Sequence, residues 1–202
     1  MNTTNEPTKA QERAEVQRHR ILDAAQQCFI AHGFHAASIA SIAETAGMSA
    51  GLIYRYFENK NALILAIVDR QLQLLREDIR LNRRIDLAAE MVQNYGRSCS
   101  AEAKGMNAAL LLEMSAEATR DPQIAAALDR YDATVRAALV DWLTRGSEAG
   151  GHDVSATAAP GRALLLQCMF EGLKLRETRE PHLDRKLLEQ ALHDLVPQLL
   201  RP

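Results

Sequence analysis

Apolar residues recur every three or four positions along most of the chain, which is the spacing of an α-helix with one buried face. The period is clearest after residue 121, where apolar side chains lie at Ile124, Leu128, Tyr131, Val135, Leu139 and Trp142. The same spacing predicts helices at residues 16–33, 38–47, 49–57, 60–81, 87–104, 106–119, 122–142, 161–178 and 183–200. We therefore expect nine helices and no strand.

Turn-forming residues separate these segments. Gly33 follows the first apolar stripe and suits the position just after a helix, where glycine adopts backbone angles that other residues avoid. Ser38 and Ser49 each precede a short apolar segment, and serine is a favoured helix N-cap. Gly47 lies between these two segments, while residues 146–160 form the most loop-like stretch of the chain. The signals predict two short helices joined by a tight glycine turn.

Composition supports an all-α fold. The 202 residues include 33 Ala and 27 Leu, against only 17 Val and Ile together. Alanine and leucine favour helices, whereas β-branched residues favour strands. A sandwich, a barrel or a doubly wound sheet is therefore not expected.

The charge balance excludes one class of nucleic-acid binding. The chain has 24 basic and 26 acidic residues, a formal net charge of −2. This excludes histone-like binding through bulk positive charge, but it is compatible with a small DNA-reading surface on an acidic body. No apolar run approaches the roughly 18–20 residues that span a bilayer, and the polar residues 1–16 lack the apolar stretch of a signal peptide. We expect a cytoplasmic protein without membrane contact.

Residues with catalytic or metal-binding chemistry do not form recognisable motifs. The three cysteines have no C-x-x-C pairing, and the six histidines show no ligand-like spacing. The chain contains no Glu-x-x-His, no Walker loop and no G-x-S-x-G. We expect neither an enzyme nor a metal or cofactor site. The alternatives to a DNA-binding protein are a helical interaction module and a helical enzyme.

Residues 33–63 carry the strongest functional signal. They read GFHAASIASIAETAGMSAGLIYRYFENKNAL: a short helix, a glycine turn, a second short helix and an aromatic cluster before a long helix. This is the layout of a helix-turn-helix, whose second helix presents its N-terminal end to the DNA major groove. A small core is expected from Ile39, Ile42, Ile53, Phe57 and Leu63.

This segment resembles the TetR family of bacterial transcriptional regulators. The matching positions are Ser38-Ile39, Ile42-Ala43, Ala46-Gly47-Met48-Ser49, Gly51, Tyr54-Arg55-Tyr56-Phe57, Lys60 and Leu63, preceded by Ile21-Leu22-Asp23-Ala24-Ala25, Phe29 and Gly33-Phe34. About sixty residues match motif by motif. The rest of the chain resembles the family only in its helical style, as the variable effector half of such regulators would.

The resemblance implies roles for residues around the second short helix. Phosphate contacts are implied for Ser38, Tyr54, Tyr56 and Lys60, whose hydroxyl and ammonium donors suit phosphate oxygens. The recognition helix, capped by Ser49, is implied to carry Ala50, Gly51, Leu52 and Arg55 on or beside its base-facing side. For Arg55, a base edge, a phosphate and a surface salt bridge are all open. Two positions depart from the family: Leu52 replaces the usual threonine, and Ala40 replaces a polar base contact of some members. Base reading is then left to thymine methyls, Arg55 or DNA shape.

For the C-terminal two-thirds, the resemblance implies dimerisation through the last two helices and an effector pocket. Residues 161–173 are apolar almost all round, which suits an interface. The pocket candidates are Tyr95, Cys99, Met106, Leu110, Glu113, Met114, Tyr131, Trp142, Cys168 and Met169. Glu113 lies in an apolar helix, so its carboxylate needs a partner. Either a cationic ligand or an arginine, such as Arg97 or Arg136, would supply one.

These observations predict three regions: a disordered polar arm at 1–16, a helix-turn-helix domain at 17–64 with its motif at about 41–60, and an effector and dimerisation domain at 65–202. The predicted function is a ligand-responsive homodimeric repressor that leaves a palindromic DNA operator when a small molecule binds.

Overall fold

The described part of the protein is entirely helical. The computed structural model describes residues 8–80, 86–97 and 107–202, with backbone only at 75–80. Within these residues there are nine α-helices and no strand, so the predicted fold class is confirmed. The helices are α1 (Lys9–Ala36), α2 (Ile39–Ala46), α3 (Ala50–Tyr54), α4 (Lys60–Arg80), α5 (Leu87–Asn94), α6 (Ala108–Ala118), α7 (Pro122–Thr144), α8 (Ala159–Arg179) and α9 (Arg185–Leu200).

The first helix begins seven residues earlier than the apolar pattern predicted, at Lys9 rather than at residue 16. The expected disordered arm is therefore wrong for residues 9–16, while residues 1–7 lie outside the described residues. The Thr8 side chain accepts from the backbone N–H of Gln11, and the Gln11 side chain accepts from the backbone N–H of Thr8. This reciprocal cap satisfies donors that a helix start leaves unpaired. A polar segment can thus be helical without a buried face.

Gly33 interrupts α1 near its end. Its φ of 76° and ψ of 162° are not helical, so the chain changes direction there before residues 34–37 lead into α2. A positive φ is accessible to glycine at little cost. The predicted break at Gly33 is present.

Two compact units make up the chain, residues 1–67 and residues 68–202. The division after Ile67 lies three residues beyond the boundary predicted after residue 64. In the N-terminal unit, α1 packs against α2, and α2 against α3. The side chains at its centre are almost fully buried: Ile21, Ala25, Phe29, Ile42, Ile53, Leu63 and Ile67.

The C-terminal unit contains the second part of α4 and the helices α5 to α9. There α7 packs against α8, α5 against α9, and α6 against both α7 and α8. One apolar cluster joins α5, α7, α8 and α9 and includes Leu87, Met91, Leu143, Ala163, Leu166, Leu188 and Leu192. The predicted long helix at 87–104 is wrong in length, because α5 ends at Asn94 and Gly96 follows with a φ of 84°. Residues 98–106 lie outside the described residues.

Candidate nucleic-acid interface

A left-handed glycine joins α2 to α3. Gly47 has φ 61° and ψ 42°, and its N–H donates to the carbonyls of Ala43 and Glu44. A Cβ at this position would lie 3.0 Å from Nη2 of Arg20 on α1. The positive φ favours glycine here, whereas the tip of the Arg20 side chain could shift slightly to admit a Cβ. The turn sets the angle between two short helices, as a helix-turn-helix needs.

Serines cap both helices of this motif, as predicted. The Ser38 hydroxyl oxygen accepts from the Ser41 N–H at 3.0 Å, and Ser41 Oγ accepts from the Ser38 N–H at 2.9 Å. The Ser49 hydroxyl oxygen accepts from the Leu52 N–H at 3.2 Å. Helices of eight and five residues have little stability of their own. Their caps, each typically worth about 1 kcal/mol, are therefore a large share of what holds them.

A small core supports α3 from beneath. Of the five residues predicted for it, Ile42, Ile53, Phe57 and Leu63 are buried, while Ile39 is half-buried. From α1, the guanidinium of Arg18 lies 4.6 Å from the centre of the Phe57 ring, a cation–π distance. Phe57 follows α3 directly, so this contact helps to fix the orientation of α3 on α1.

The opposite face of α3 is open to solvent. Gly51 and Arg55 are exposed, and Tyr54 retains 57% of its exposure. The remaining predicted contacts are placed as follows: Ser38 and Ser49 exposed, and Ala50, Leu52, Tyr56 and Lys60 half-buried. A Cβ on Gly51 would meet nothing within 4 Å. Internal packing therefore gives no reason for glycine at 51, whereas the positive φ gives one at 47.

An open groove of about 580 Å³ lies beside this face. Its walls include the ends of α2 and α4 and the side of α3, through Ser38, Ile39, Tyr54, Asn59, Lys60 and Asn61. Both helices begin here: Ser38 caps α2, and Asn59 Oδ1 accepts from the Ala62 N–H at 2.9 Å in the first turn of α4. Helix N-termini carry partial positive charge and favour anions. These helix starts favour an anionic group such as a phosphate, whereas the exposed carboxylate of Glu58, which also lines the groove, opposes one.

Lys60 has contacts that the sequence did not indicate. Its ammonium donates to three backbone carbonyls of the N-terminal unit, those of Phe34, His35 and Ala37. The implied phosphate contact thus competes with contacts inside the protein. The acceptors lie 23 to 26 residues away along the chain, which no local sequence pattern reveals.

The pocket candidates of the C-terminal unit do not share one environment. Leu110 and Met114 on α6 are almost fully buried, and Glu113 between them is half-buried. Tyr95 is buried after α5, where its hydroxyl donates to the Glu180 carbonyl at 2.9 Å. Cys99 and Met106 lie outside the described residues.

The other four candidates are on α7 and α8. Trp142 and Met169 pack against the apolar cluster, and Trp142 also meets His152 edge-on, with ring centres 4.4 Å apart. Tyr131 is half-buried, and its pKa is raised by burial and then by the neighbouring Asp132 and Glu171 carboxylates. Cys168 is exposed. A groove of about 400 Å³ in this unit is lined by other residues, between the start of α5 and the end of α9.

A polar ladder between α7 and α8 was missed by the sequence reading. Arg136 Nε donates to Gln167 Oε1 at 3.2 Å, and Gln167 Nε2 donates to Glu171 Oε1 at 3.2 Å. Gln167 is only 5% exposed. Asp132 adjoins this ladder, and its pKa is raised by burial and by Glu171, against the opposing effect of Arg136. The available signal was the spacing of four residues between Asp132 and Arg136 on α7 and between Gln167 and Glu171 on α8.

Leucines also remain exposed on the last two helices. Leu164 and Leu165 on α8 retain 45% and 57% exposure, and Leu187 and Leu195 on α9 retain 57% and 46%. Such side chains on adjoining helices are typical of a surface that a partner covers.

The described residues contain no cluster of three or more metal-ligating side chains. None of their helices combines the length and apolar character needed to cross a membrane.

Comparison with known families gives two matches. Residues 21–67 match the family described as bacterial regulatory proteins of the tetR family. Residues 98–201 match the C-terminal region of BetI-type transcriptional repressors.

Individual relatives agree with these families. The HTH-type transcriptional regulator UidR of Escherichia coli K12 is 32% identical over 79% of this chain and 81% of its own length. The HTH-type transcriptional repressor AcnR of Corynebacterium efficiens is 25% identical over 66% of this chain and 67% of its own. Among solved structures, Salmonella enterica GusR is 29% identical with a TM-score of 0.66, covering 98% of this chain and 99% of that one. A TetR regulator from Haloarcula marismortui, 20% identical, shares the fold with a TM-score of 0.69 over 93% of this chain and all of that one.

Proposed function

Because this chain belongs to the TetR family of helix-turn-helix transcriptional regulators, we propose that it represses transcription by binding a palindromic operator as a homodimer and leaves the operator when a small molecule binds. The observation that carries the proposal is the outward face of α3, where Gly51, Tyr54 and Arg55 are exposed above a buried core. In this proposal the N-terminal unit binds DNA, and the C-terminal unit binds the effector and dimerises. A cytoplasmic location and a role other than catalysis belong to the same proposal.

DNA contacts divide between phosphates and bases. Ser38 and Tyr54 supply hydroxyl donors at the groove, where the starts of α2 and α4 also favour anions. The half-buried Tyr56, two residues after α3, supplies a third hydroxyl in this proposal. Ser49 lies at the N-cap of the recognition helix, and in this proposal it is next to the DNA backbone. The exposed Arg55 is proposed to donate hydrogen bonds to the edge of a base. Ala50, Gly51 and Leu52 offer an apolar surface that fits thymine methyl groups.

The bare surface at Gly51 supports close approach of the DNA. Gly51 is the second residue of α3, and glycine in a helix is less favourable than alanine by up to about 1 kcal/mol. A Cβ there would meet no atom within 4 Å, so internal packing does not require the glycine. Space for DNA beside α3 gives a reason for glycine at this position.

Dimerisation is proposed through the exposed leucines of α8 and α9. Two copies of this face would bury Leu164, Leu165, Leu187 and Leu195 around a two-fold axis. Leu165→Asp should shift the protein towards monomer in analytical ultracentrifugation. Leu112→Asp, at a 41% exposed leucine on α6, is the matched control and should leave the dimer intact. Equal effects of the two substitutions would exclude this face.

The effector site is proposed in the C-terminal unit near α6, around Leu110, Glu113 and Met114. Linkage requires that operator DNA weakens effector binding by the same factor by which effector weakens DNA binding. Titration calorimetry with and without saturating operator measures the first factor, and DNA anisotropy measures the second. Identical effector affinity in both titrations would exclude release by this mechanism.

Fluorescence anisotropy with a labelled DNA fragment from beside the protein's own gene tests the DNA-binding proposal. Arg55→Ala should change the sequence preference, whereas Tyr54→Phe should weaken binding to all sequences alike, because phosphate contacts carry no base information. Arg130→Ala, at an exposed position on α7, is the control for loss of a surface arginine. DNA binding that is unchanged by both Arg55→Ala and Tyr54→Phe would contradict the proposed face.

A further inference from the structure

The side chain of Lys60, at the start of α4, is bound to the protein's own backbone. Its Nζ lies 2.7 Å from the carbonyl oxygen of Phe34, 3.2 Å from that of His35 and 2.8 Å from that of Ala37. An ammonium group has three N–H donors. Each of them thus has an acceptor within the N-terminal unit.

The Phe34 ring adds a fourth contact. Lys60 Nζ lies 4.6 Å from the ring centre, within the range of a cation–π interaction. Phe34 is itself 5% exposed and packs against Phe29 with ring centres 5.3 Å apart. The ammonium therefore rests on a ring that the core holds in place, rather than on a mobile surface side chain.

The three carbonyls belong to one short connection. Residues 34–37 lie between the break at Gly33 and the cap at Ser38. Carbonyls at the end of a helix lack intrahelical partners, and a cation beside them is favoured by the helix dipole. Lys60 supplies hydrogen-bond donors and a positive charge to the carbonyls of this connection.

We propose that Lys60 is a positioning residue, a clamp that holds the 34–37 connection against the first turn of α4 and keeps these contacts when DNA is bound. The proposal rests on the proposed DNA-binding function, and it replaces the phosphate contact implied by the family resemblance. Lys60 acts on DNA through Ser38, which follows the clamped connection directly and lines the groove together with Tyr54.

Nuclear magnetic resonance of the lysine side-chain ammonium groups tests the clamp directly. The chain has only five lysines, so the signal of Lys60 can be assigned with Lys60→Arg as a blank. In the full-length free protein we expect slow ammonium exchange and an upfield shift from the Phe34 ring. Both features should persist on addition of operator DNA. Loss of the ring-current shift on DNA binding would overturn the proposal and favour a phosphate contact.

Substitution supplies a second test on the full chain. Lys60→Met should speed amide exchange in residues 34–42 several-fold while circular dichroism stays unchanged, and Lys60→Arg should restore slow exchange. Binding of Lys60→Met to operator and to random DNA should fall by about tenfold each, the scale of hydrogen bonds made by a charged group. Lys186→Met, at an exposed position on α9, is the control and should change neither quantity.

Unchanged exchange in Lys60→Met would overturn the clamp, whatever the effect on DNA binding. The free-protein signature and the exchange measurement need no DNA. If the protein bound no DNA at all, the proposed function would fail while these two results would still decide the contacts of Lys60.

Discussion

The two units depend on different parts of their helices. In the N-terminal unit, α2 and α3 have eight and five residues and little stability of their own. The Ser38 and Ser49 caps and the Gly47 turn therefore contribute a large share of their stability, beside the packing of Ile42 and Ile53. In the C-terminal unit, α7 and α8 have 23 and 21 residues, and packing along their faces dominates. We infer that helix ends limit the stability of the DNA-reading motif, whereas helix faces limit that of the C-terminal unit.

The largest effect is expected in the C-terminal core. Leu143 on α7 is fully buried in the apolar cluster, and Leu143→Ala should lower the free energy of unfolding by about 2–5 kcal/mol. Leu112→Ala, at a 41% exposed leucine on α6, should cost no more than about 0.5 kcal/mol. Denaturant unfolding of both variants at equal protein concentration checks the difference. Similar losses would contradict the importance of face packing.

Hydrogen bonds of the polar ladder also hold the facing sides of α7 and α8 together. Gln167→Leu keeps the side-chain volume but leaves Arg136 and Glu171 without this amide partner. We expect a loss of about 1–3 kcal/mol in the free energy of unfolding. Gln123→Leu, at an exposed glutamine in the first turn of α7, should be close to neutral. A neutral Gln167→Leu would show that the ladder does not stabilise the α7–α8 contact.

Gly47 and Gly51 are proposed to have different roles: Gly47 is needed by the protein's own turn, and Gly51 allows close approach of DNA. Gly47→Ala should destabilise the N-terminal unit by about 1–2 kcal/mol, because alanine is strained at positive φ, and should weaken DNA binding. Gly51→Ala should stabilise α3 by up to about 1 kcal/mol, yet also weaken DNA binding. Amide exchange reports the stability, and anisotropy reports the affinity. Undiminished DNA binding by Gly51→Ala would remove the argument for close approach at this residue.

The smallest effect concerns pH. The pKa of Asp132 is raised in the folded protein by burial and then by Glu171, so the folded state holds a proton that the unfolded state releases between the ordinary and the raised pKa. Stability should therefore fall as pH rises through this window. Asp132→Asn should be more stable than the parent protein at pH 7, with the difference shrinking towards pH 4. A pH-independent difference between the two unfolding curves would contradict this origin.

The N-terminal motif was readable from sequence because its signals are local. Ser38, Gly47 and Ser49 mark helix ends by residue type alone, and the structure uses each in that role. The apolar period does not predict the start of α1, because residues 9–16 have no buried face and only the Thr8–Gln11 capping pair marks the helix start. The contacts of Lys60 were not predicted, because their acceptors are backbone carbonyls 23 to 26 residues away along the chain. No residue type near the lysine indicates such carbonyls.

The C-terminal unit was readable only in outline. The apolar period identified α7, α8 and α9, but α5 ends at Asn94 instead of continuing to residue 104. Periodicity also cannot separate a pocket wall from a core. Tyr95 and Leu110 both lie in apolar stretches of the sequence. The Tyr95 hydroxyl donates to the Glu180 carbonyl just after α8, whereas Leu110 is fully buried on α6.

A footprint on the DNA beside the protein's own gene tests the central claim most directly, namely that two copies of the α3 face read one operator. The account predicts two protected half-sites related by two-fold symmetry, with centres about 34–36 Å apart or a multiple of that distance. Arg55→Ala should alter the protected bases without changing the spacing. Protection of a single asymmetric site by a monomer at full affinity would contradict the account.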